Sequence, residues 1–189
     1  MIIITNSDDG WVKYSCERIV PKLLTCLKKY RIVSARTNYE KFYPGQPLCW
    51  KAAAFAHEVN ESFQTSFVLE DADAKNCPEA EYSDVSSEES FDTTKESKRE
   101  IISFGDSMEE RTAVRIVADE LNSIPKSVQF VPWPSPLQIT GQLQMLTNNM
   151  KFLCEHDLTL DMEMGAEQAQ TSCESFMKKN NLEAHITED

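Results

Sequence analysis

Polar residues follow two apolar runs of this sequence, at the points where strands are predicted to end. Residues 2–4 pass into Thr5 and Asn6, and residues 101–104 pass into a glycine and then Asp106. Ligands of α/β proteins bind beyond the carboxyl ends of the strands of a parallel sheet. A hydroxyl, an amide and a carboxylate at these positions therefore predict a shared ligand site, built from residues that are far apart in the chain.

Strand and helix patterns alternate along the chain and would position these residues. Apolar or β-branched runs predict strands over residues 2–6, 31–35, 101–104, 127–131 and 157–162. Apolar residues at helical spacing predict helices over residues 12–27 (interrupted at Pro21), 47–63, 114–121, 139–153 and 166–179. This alternation predicts an α/β fold, a three-layer sandwich with a mostly parallel sheet, formed by residues 1–189 as a single domain.

Residues 70–100 differ in composition from the rest of the chain. They hold eleven acidic and four basic residues with few apolar ones. Such a segment buries too little apolar surface to offset the entropy lost on ordering. We therefore predict an acidic, disordered insertion at 70–100 and a flexible polar tail at 180–189.

The overall charge and the cysteines limit the class of protein. With 19 basic and 31 acidic residues the formal net charge is −12, which disfavours nucleic acid and anionic membranes as partners. The six cysteines form no CxxC pair, and no segment has the pattern of a signal peptide or a transmembrane helix. These observations predict reduced thiols and a cytoplasmic or nuclear location.

Three short motifs occur in the same order as those of a known superfamily. Thr5-Asn6-Ser7 resembles its second motif, the step into Lys51 its third, and residues 104–110 its acidic fourth motif. The chain thus resembles the haloacid-dehalogenase-like (HAD) hydrolases over residues 1–131, apart from the acidic insertion. The resemblance implies a Rossmannoid sandwich and magnesium-dependent hydrolysis of a phosphate monoester, on a phosphorylated small molecule or a phosphoprotein.

The resemblance also assigns roles to individual residues. In such enzymes an aspartate attacks phosphorus while Mg²⁺ neutralises charge on the transferring group. Thr5 and Asn6 would bind phosphate oxygens, and Lys51 would counter the charge of phosphate and nucleophile as the remaining catalytic residue. Asp106 and Glu110 would hold Mg²⁺.

One part of the family pattern has no counterpart in the sequence. The first strand and its nucleophilic Asp-x-Asp would precede residue 2, so the central first strand of the sheet is predicted to be missing. The only Asp-x-Asp, Asp71-Ala72-Asp73, falls within the acidic insertion, where ordinary loop acids are the simpler interpretation. Magnesium binding is accordingly expected only if the nucleophile segment is supplied.

Two functions remain open at this point. The chain is either the C-terminal part of a HAD-type phosphohydrolase, incomplete or inactive as given, or a non-catalytic scaffold that binds a protein partner through its acidic loop or long helix. Single residues also have simpler interpretations. Thr5 could merely end a strand, Lys51 could be solvated, and Ser107 with Glu110 could form a helix capping box. The histidines show no metal-ligand spacing, and the three tryptophans are expected to pack.

Overall fold

The computed structural model describes residues 1–74 and 98–180, and for residues 65–74 it describes only the helical backbone. The strands are β1 (Ile2–Thr5), β2 (Arg31–Ser34), β3 (Glu100–Gly105), β4 (Ile124–Gln129) and β5 (Leu160–Glu163). The helices are α1 (Trp11–Ile19), α2 (Leu24–Leu27), α3 (Ala35–Tyr39), α4 (Pro47–Ala74), α5 (Met108–Glu120), α6 (Pro136–Glu155) and α7 (Ala166–Lys179), with a 3-10 turn at Pro21–Leu23. Helix and strand thus alternate as predicted.

The predicted acidic insertion is narrower at both ends than the sequence indicated. Helix α4 continues to Ala74, so the Asp-x-Asp at 71–73 lies in its last turn and does not follow a strand. At the other end, Glu100 already belongs to β3. Residues 75–97 of the insertion and residues 181–189 of the tail lie outside the described residues.

The strands form two parallel sheets, whereas the sequence predicted one. Strand β1 pairs with β2, and β3, β4 and β5 form a second sheet in that order. Among the described residues, β1 has no strand on its other side, and neither has β3. The α/β class and the parallel pairing are therefore confirmed, but the single sheet is not.

Strand β4 begins three residues before the predicted residue 127, and the added residues include Pro125. The amide of Ile124 donates to the carbonyl of Arg99, so the nitrogen of the next residue points away from β3. On that side, pairing with β5 starts only at Lys126. The missing N–H of Pro125 therefore costs no ladder hydrogen bond, which is the situation in which strands tolerate proline.

Helix α4 connects the two sheets by packing against both of them. Its first turns bring Trp50 and Ala54 against Val33 and Ala35 of the first sheet unit. Further along, an apolar stripe of α4 packs against a second group of buried residues, on β3 and α5. The stripe consists of Phe55, Ala56, Val59 and Phe63, and the buried group of Ile101, Val114, Val117 and Ala118. Both sheets are thus held on one helix.

Two local predictions about tryptophan and capping need correction. Trp50 is buried as expected, but Trp11 and Trp133 are 54% and 97% exposed, so they do not serve the core. Ser107 precedes α5, yet its side chain makes no capping hydrogen bond to the helix backbone and donates to the Glu110 carboxylate. The capping box of this chain is formed elsewhere, at Ser135 and Gln138 of α6.

Candidate functional site

Lys51 lies in the second turn of α4 and is buried, with 3% of its side chain exposed. Its ammonium donates to the carbonyl of Ile4 at 2.9 Å and pairs with Glu110 Oε1 at 2.6 Å. A buried ammonium without partners would be strongly destabilising, and these two contacts supply its partners. The interpretation of Lys51 as a solvated lysine is therefore wrong.

Glu110 is the anionic partner of this lysine and lies in the first turn of α5. Burial opposes ionisation of its carboxyl group, but hydrogen bonds from Lys51 and Ser107 together outweigh that effect and place its pKa below the ordinary value. A methyl group on Gly105 would lie 2.6 Å from Glu110 Cγ. The glycine that ends β3 thus lets Glu110 fold back over the strand end towards Lys51.

Thr5 and Asn6 follow β1 and are engaged in local contacts. The Thr5 hydroxyl accepts the amide of Ser7 at 3.1 Å, which closes the turn after the strand. The Asn6 amide donates to the carbonyl of Pro47 at 3.4 Å and ties that turn to the start of α4. The other amide atom, Asn6 Oδ1, is buried and has no hydrogen-bond partner. A buried acceptor of this kind is uncommon and could take a donor from a ligand or water.

The two residues assigned to magnesium occupy different environments. Asp106 is exposed just after β3 and, within the described part of the chain, makes no hydrogen bond or ion pair with Lys51 or Glu110. Both carboxylate oxygens of Glu110 already have partners, one from Lys51 and one from Ser107. The structure thus brings Lys51 and Glu110 together at the carboxyl end of β1, while Asp106 contributes no hydrogen bond or ion pair to this pair among the described residues.

A cleft of about 570 Å³ separates the two sheets below this ion pair. Its walls are residues 1–4 and residues 100–104, and its floor is one face of α4, made of Phe55, Glu58, Val59, Ser62 and Phe63. Successive side chains of a strand point to opposite faces. Consecutive residues of both strands line the cleft, which a strand face would not allow. The cleft therefore borders the open edges of β1 and β3.

Three carboxylates line the cleft, and each of them has its own cation. Glu110 is paired with Lys51, Glu58 Oε1 accepts from Arg31 at 2.9 Å, and Glu100 accepts from Lys126 at 2.6 Å. The second oxygen of Glu58, which is 2% exposed, is buried without a hydrogen-bond partner.

Glu58 and the fully buried Lys126 were not predicted from the sequence. A signal was present for Glu58, which follows Phe55 by three residues on the apolar stripe of a helix. Lys126 lies just before the predicted strand at 127–131, next to a proline and a serine, and gave no such signal. A charged residue on a predicted buried face indicates a buried ion pair. What the sequence lacked was the identity of each partner.

One further group of potential metal ligands lies on the outer part of α4. Side-chain atoms of His57, Glu58 and Glu61 lie within 4.8 Å of one another, although the sequence analysis assigned no ligand role to the histidine. Arg31 already bridges the two carboxylates, at 2.9 Å and 2.7 Å. The guanidinium thus supplies the positive charge that a cation would bring to this cluster.

Comparison with known proteins gives no relative from which a function could be inferred. No protein-family model matches the chain, no curated protein matches it, and no solved structure matches it. In the described residues 1–74 and 98–180, no helix is both long and apolar enough to cross a membrane.

Proposed function

We propose that this chain is a HAD-like scaffold that binds a phosphorylated ligand at the carboxyl ends of β1 and β3. In this proposal the two sheets correspond to two halves of the single sheet of a three-layer sandwich. The first strand of the HAD fold would lie between them. The ligand is a small phosphate monoester or a phosphoprotein side chain. One observation carries the proposal, namely that the buried ammonium of Lys51 lies between the carbonyl of Ile4 and the carboxylate of Glu110.

The chemistry of the proposed site follows from the groups on this chain. Lys51 would exchange part of its contact with Glu110 for a phosphate oxygen, because an ammonium with three donors can serve both. The hydroxyl of Thr5 and the backbone amide of Asn6 would bind the other phosphate oxygens, since the Ser7 amide is already donated to Thr5 Oγ1. Lys51 thereby neutralises charge that would otherwise repel an incoming nucleophile.

Magnesium, when bound, would neutralise further charge on the phosphoryl group. The exposed carboxylate of Asp106 fits such a role, since Mg²⁺ in phosphoryl-transfer sites is held by one or two carboxylates, water and the substrate phosphate. Glu110 does not fit as placed, because both of its oxygens accept from Lys51 and Ser107. Glu110 is instead a positioning residue that holds the Lys51 ammonium.

A second function, a scaffold that binds partners without catalysis, is favoured by a separate observation. Glu110 is the only carboxylate that pairs with Lys51 among the described residues, and its oxygens are already engaged. The carboxylate that contacts Lys51 is therefore not free to attack phosphorus. Under this alternative, Lys51 and Glu110 would stabilise the fold and would not exchange with a phosphate.

Calorimetric titration with inorganic phosphate separates these two functions. We expect saturable binding to the intact chain and at least tenfold weaker binding to Lys51→Met, which keeps the aliphatic stem but lacks the charge. Lys151→Met is the matched control, because Lys151 is exposed on α6 and pairs with Glu155 at 3.8 Å. Equal phosphate binding by all three proteins, or none by the intact chain, would leave the non-catalytic scaffold as the better account.

A further inference from the structure

We propose that α6 forms an interface with a second copy of this chain, in which the two α6 helices pack antiparallel along an exposed apolar stripe. This inference concerns a protein–protein surface and does not depend on phosphate binding. Four residues of the stripe lie on α6 and one lies just before the helix. We call them the α6 stripe; they are Trp133, Ile139, Leu143, Leu146 and Met150.

The spacing of the α6 stripe is that of a helix that packs along another helix. Its four helical residues follow one another at intervals of four, three and four residues, from Ile139 to Met150. Apolar residues at this spacing form the seam along which the helices of a coiled coil interlock. A seam of this kind is fully buried only when a second helix lies along it.

Within its own chain, the α6 stripe is only partly covered. Ile139 is 43% and Leu143 50% exposed, and the other two helical residues of the stripe are half-buried. A different face of α6 packs inside the chain. Gly141 lies so close to α7 that a methyl group on it would meet the carbonyl oxygen of Ala169 at 1.6 Å. With 3.6 residues per turn, Leu143 points about 160° away from Gly141. The stripe therefore faces away from α7.

The α6 stripe lies in a part of the chain that has no charge. Residues 127–150 include no Asp, Glu, Lys, Arg or His, although charged residues make up 26% of the sequence. The cores of protein–protein interfaces are depleted of charged residues and enriched in aromatic residues and methionine. The same feature selects the occupant. Two copies that each carry a net charge of −12 repel each other, so close contact is least opposed where neither copy is charged.

Trp133 places a fixed aromatic side chain at one end of the stripe. It stands between Pro132 and Pro134, and its φ of 51° lies in the left-handed region that residues other than glycine rarely adopt. The loop is held in place because the amide of Val131 donates to the buried side chain of Gln142 at 3.0 Å. The Trp133 side chain is nevertheless 97% exposed. An exposed tryptophan on a strained and anchored loop is typical of a residue that a partner covers.

The charged residues of α6 favour antiparallel packing. They are Lys151 and Glu155, which lie in the last two turns and pair with each other at 3.8 Å. A parallel pair of helices would place each of them beside the same residue of the second copy, and such like-charge contacts are unfavourable. An antiparallel pair centred near Leu143 separates the like charges. It also places Trp133 of each copy beside the part of the other α6 where Met150 ends the stripe.

Sedimentation equilibrium of the full chain over a range of concentrations tests the interface. The weight-average mass should rise with concentration from that of one chain, 21.6 kDa, towards twice that value. The association should strengthen when the salt concentration is raised from about 0.05 M to about 0.5 M. Salt screens the repulsion between the two acidic copies and does not weaken contacts between apolar side chains.

Substitutions locate the interface on α6. Leu143→Lys places like charges at the centre of the two stripes and should weaken the dimer at least tenfold. Ile116→Lys is the matched control, because Ile116 lies on α5, is 46% exposed and gives the same change in net charge. Its dimer should persist. Trp133→Ala should weaken the dimer at least fivefold and leave the monomer folded, as checked by circular dichroism, because this side chain is exposed in the monomer.

Four results would contradict the proposal. The chain stays monomeric at every concentration, or Leu143→Lys and Ile116→Lys weaken the dimer equally. Association that weakens with salt would show an interface held by ion pairs in place of the α6 stripe. Oxidation that joins the exposed Cys154 to Cys154 of the second copy would show parallel packing, because the antiparallel pair holds these residues at opposite ends. Phosphate titration is a separate measurement, so either proposal can fail without the other.

Discussion

Removing the charge of Lys51 should destabilise the protein strongly. Lys51 is 3% and Glu110 16% exposed, and their charged atoms are 2.6 Å apart. Lys51→Met leaves the Glu110 carboxylate half-buried with only the Ser107 hydroxyl as its partner. Breaking a buried ion pair by removing one member costs about 3–5 kcal/mol, because an uncompensated charge remains. We expect a loss in that range for Lys51→Met and a similar loss for Glu110→Gln.

The double variant makes this prediction specific to the pair. Lys51→Met with Glu110→Gln removes both charges, so its loss should be smaller than the sum of the two single losses by about 2 kcal/mol. Urea unfolding followed by circular dichroism measures all three free energies of unfolding. Lys13→Met, which breaks only an exposed pair, should change stability by less than about 0.5 kcal/mol. Additive single losses, or a loss below about 1 kcal/mol for Lys51→Met, would refute the buried pair.

Further predictions concern pH, packing, the open strand edge and turnover. The pKa of Glu110 in the folded protein lies below its ordinary value of 4.5, so its carboxylate should contribute fully to stability above pH 4.5. This contribution should be lost as the pH falls through the folded pKa, and Glu110→Gln should therefore reduce the loss of unfolding free energy at acid pH. Gly141→Ala should cost about 3 kcal/mol in urea unfolding, since the new methyl carbon would lie 1.6 Å from the carbonyl oxygen of Ala169; an unchanged midpoint would show that α6 and α7 can separate. The amides of Ile102 and Phe104 should exchange with solvent at least tenfold faster than those of their odd-numbered neighbours in β3, and uniform protection along β3 would contradict the open edge. The chain as given should show no magnesium-dependent turnover of an aryl phosphate, and measurable turnover would require a nucleophile other than the Asp-x-Asp that the HAD resemblance implies.

The elements of this fold could be predicted well from local patterns. Helix α7 was predicted at its observed bounds, and the break at Pro21 appears as the 3-10 turn that separates α1 from α2. Such patterns arise from side-chain periodicity and from proline, which act within a few residues. Strand β4 was predicted to start at residue 127 but starts at Ile124, and Pro125 is tolerated there because pairing with β5 begins only at Lys126, which is a tertiary property.

The candidate site was predicted in part for a similar reason. The convergence of Lys51 with the end of β1 follows from the rule that loops after parallel strands gather at one edge. The pairing of Lys51 with Glu110 could not be predicted from the sequence, because Glu110 also fitted a capping box with Ser107. The division into two sheets also depends on hydrogen bonds between distant strands, which periodicity does not report.

The most direct test of the proposed function observes the Lys51 ammonium itself. In a sample labelled with ¹⁵N at the lysine side chains, the buried Lys51 Nζ should give a slowly exchanging resonance that disappears in Lys51→Met. Titration with inorganic phosphate is predicted to shift this resonance saturably, together with the backbone amides of Thr5 and Asn6. If phosphate shifts only the resonances of exposed lysines while that of Lys51 stays constant to saturation, Lys51 belongs to the fold alone and the phosphate site is contradicted.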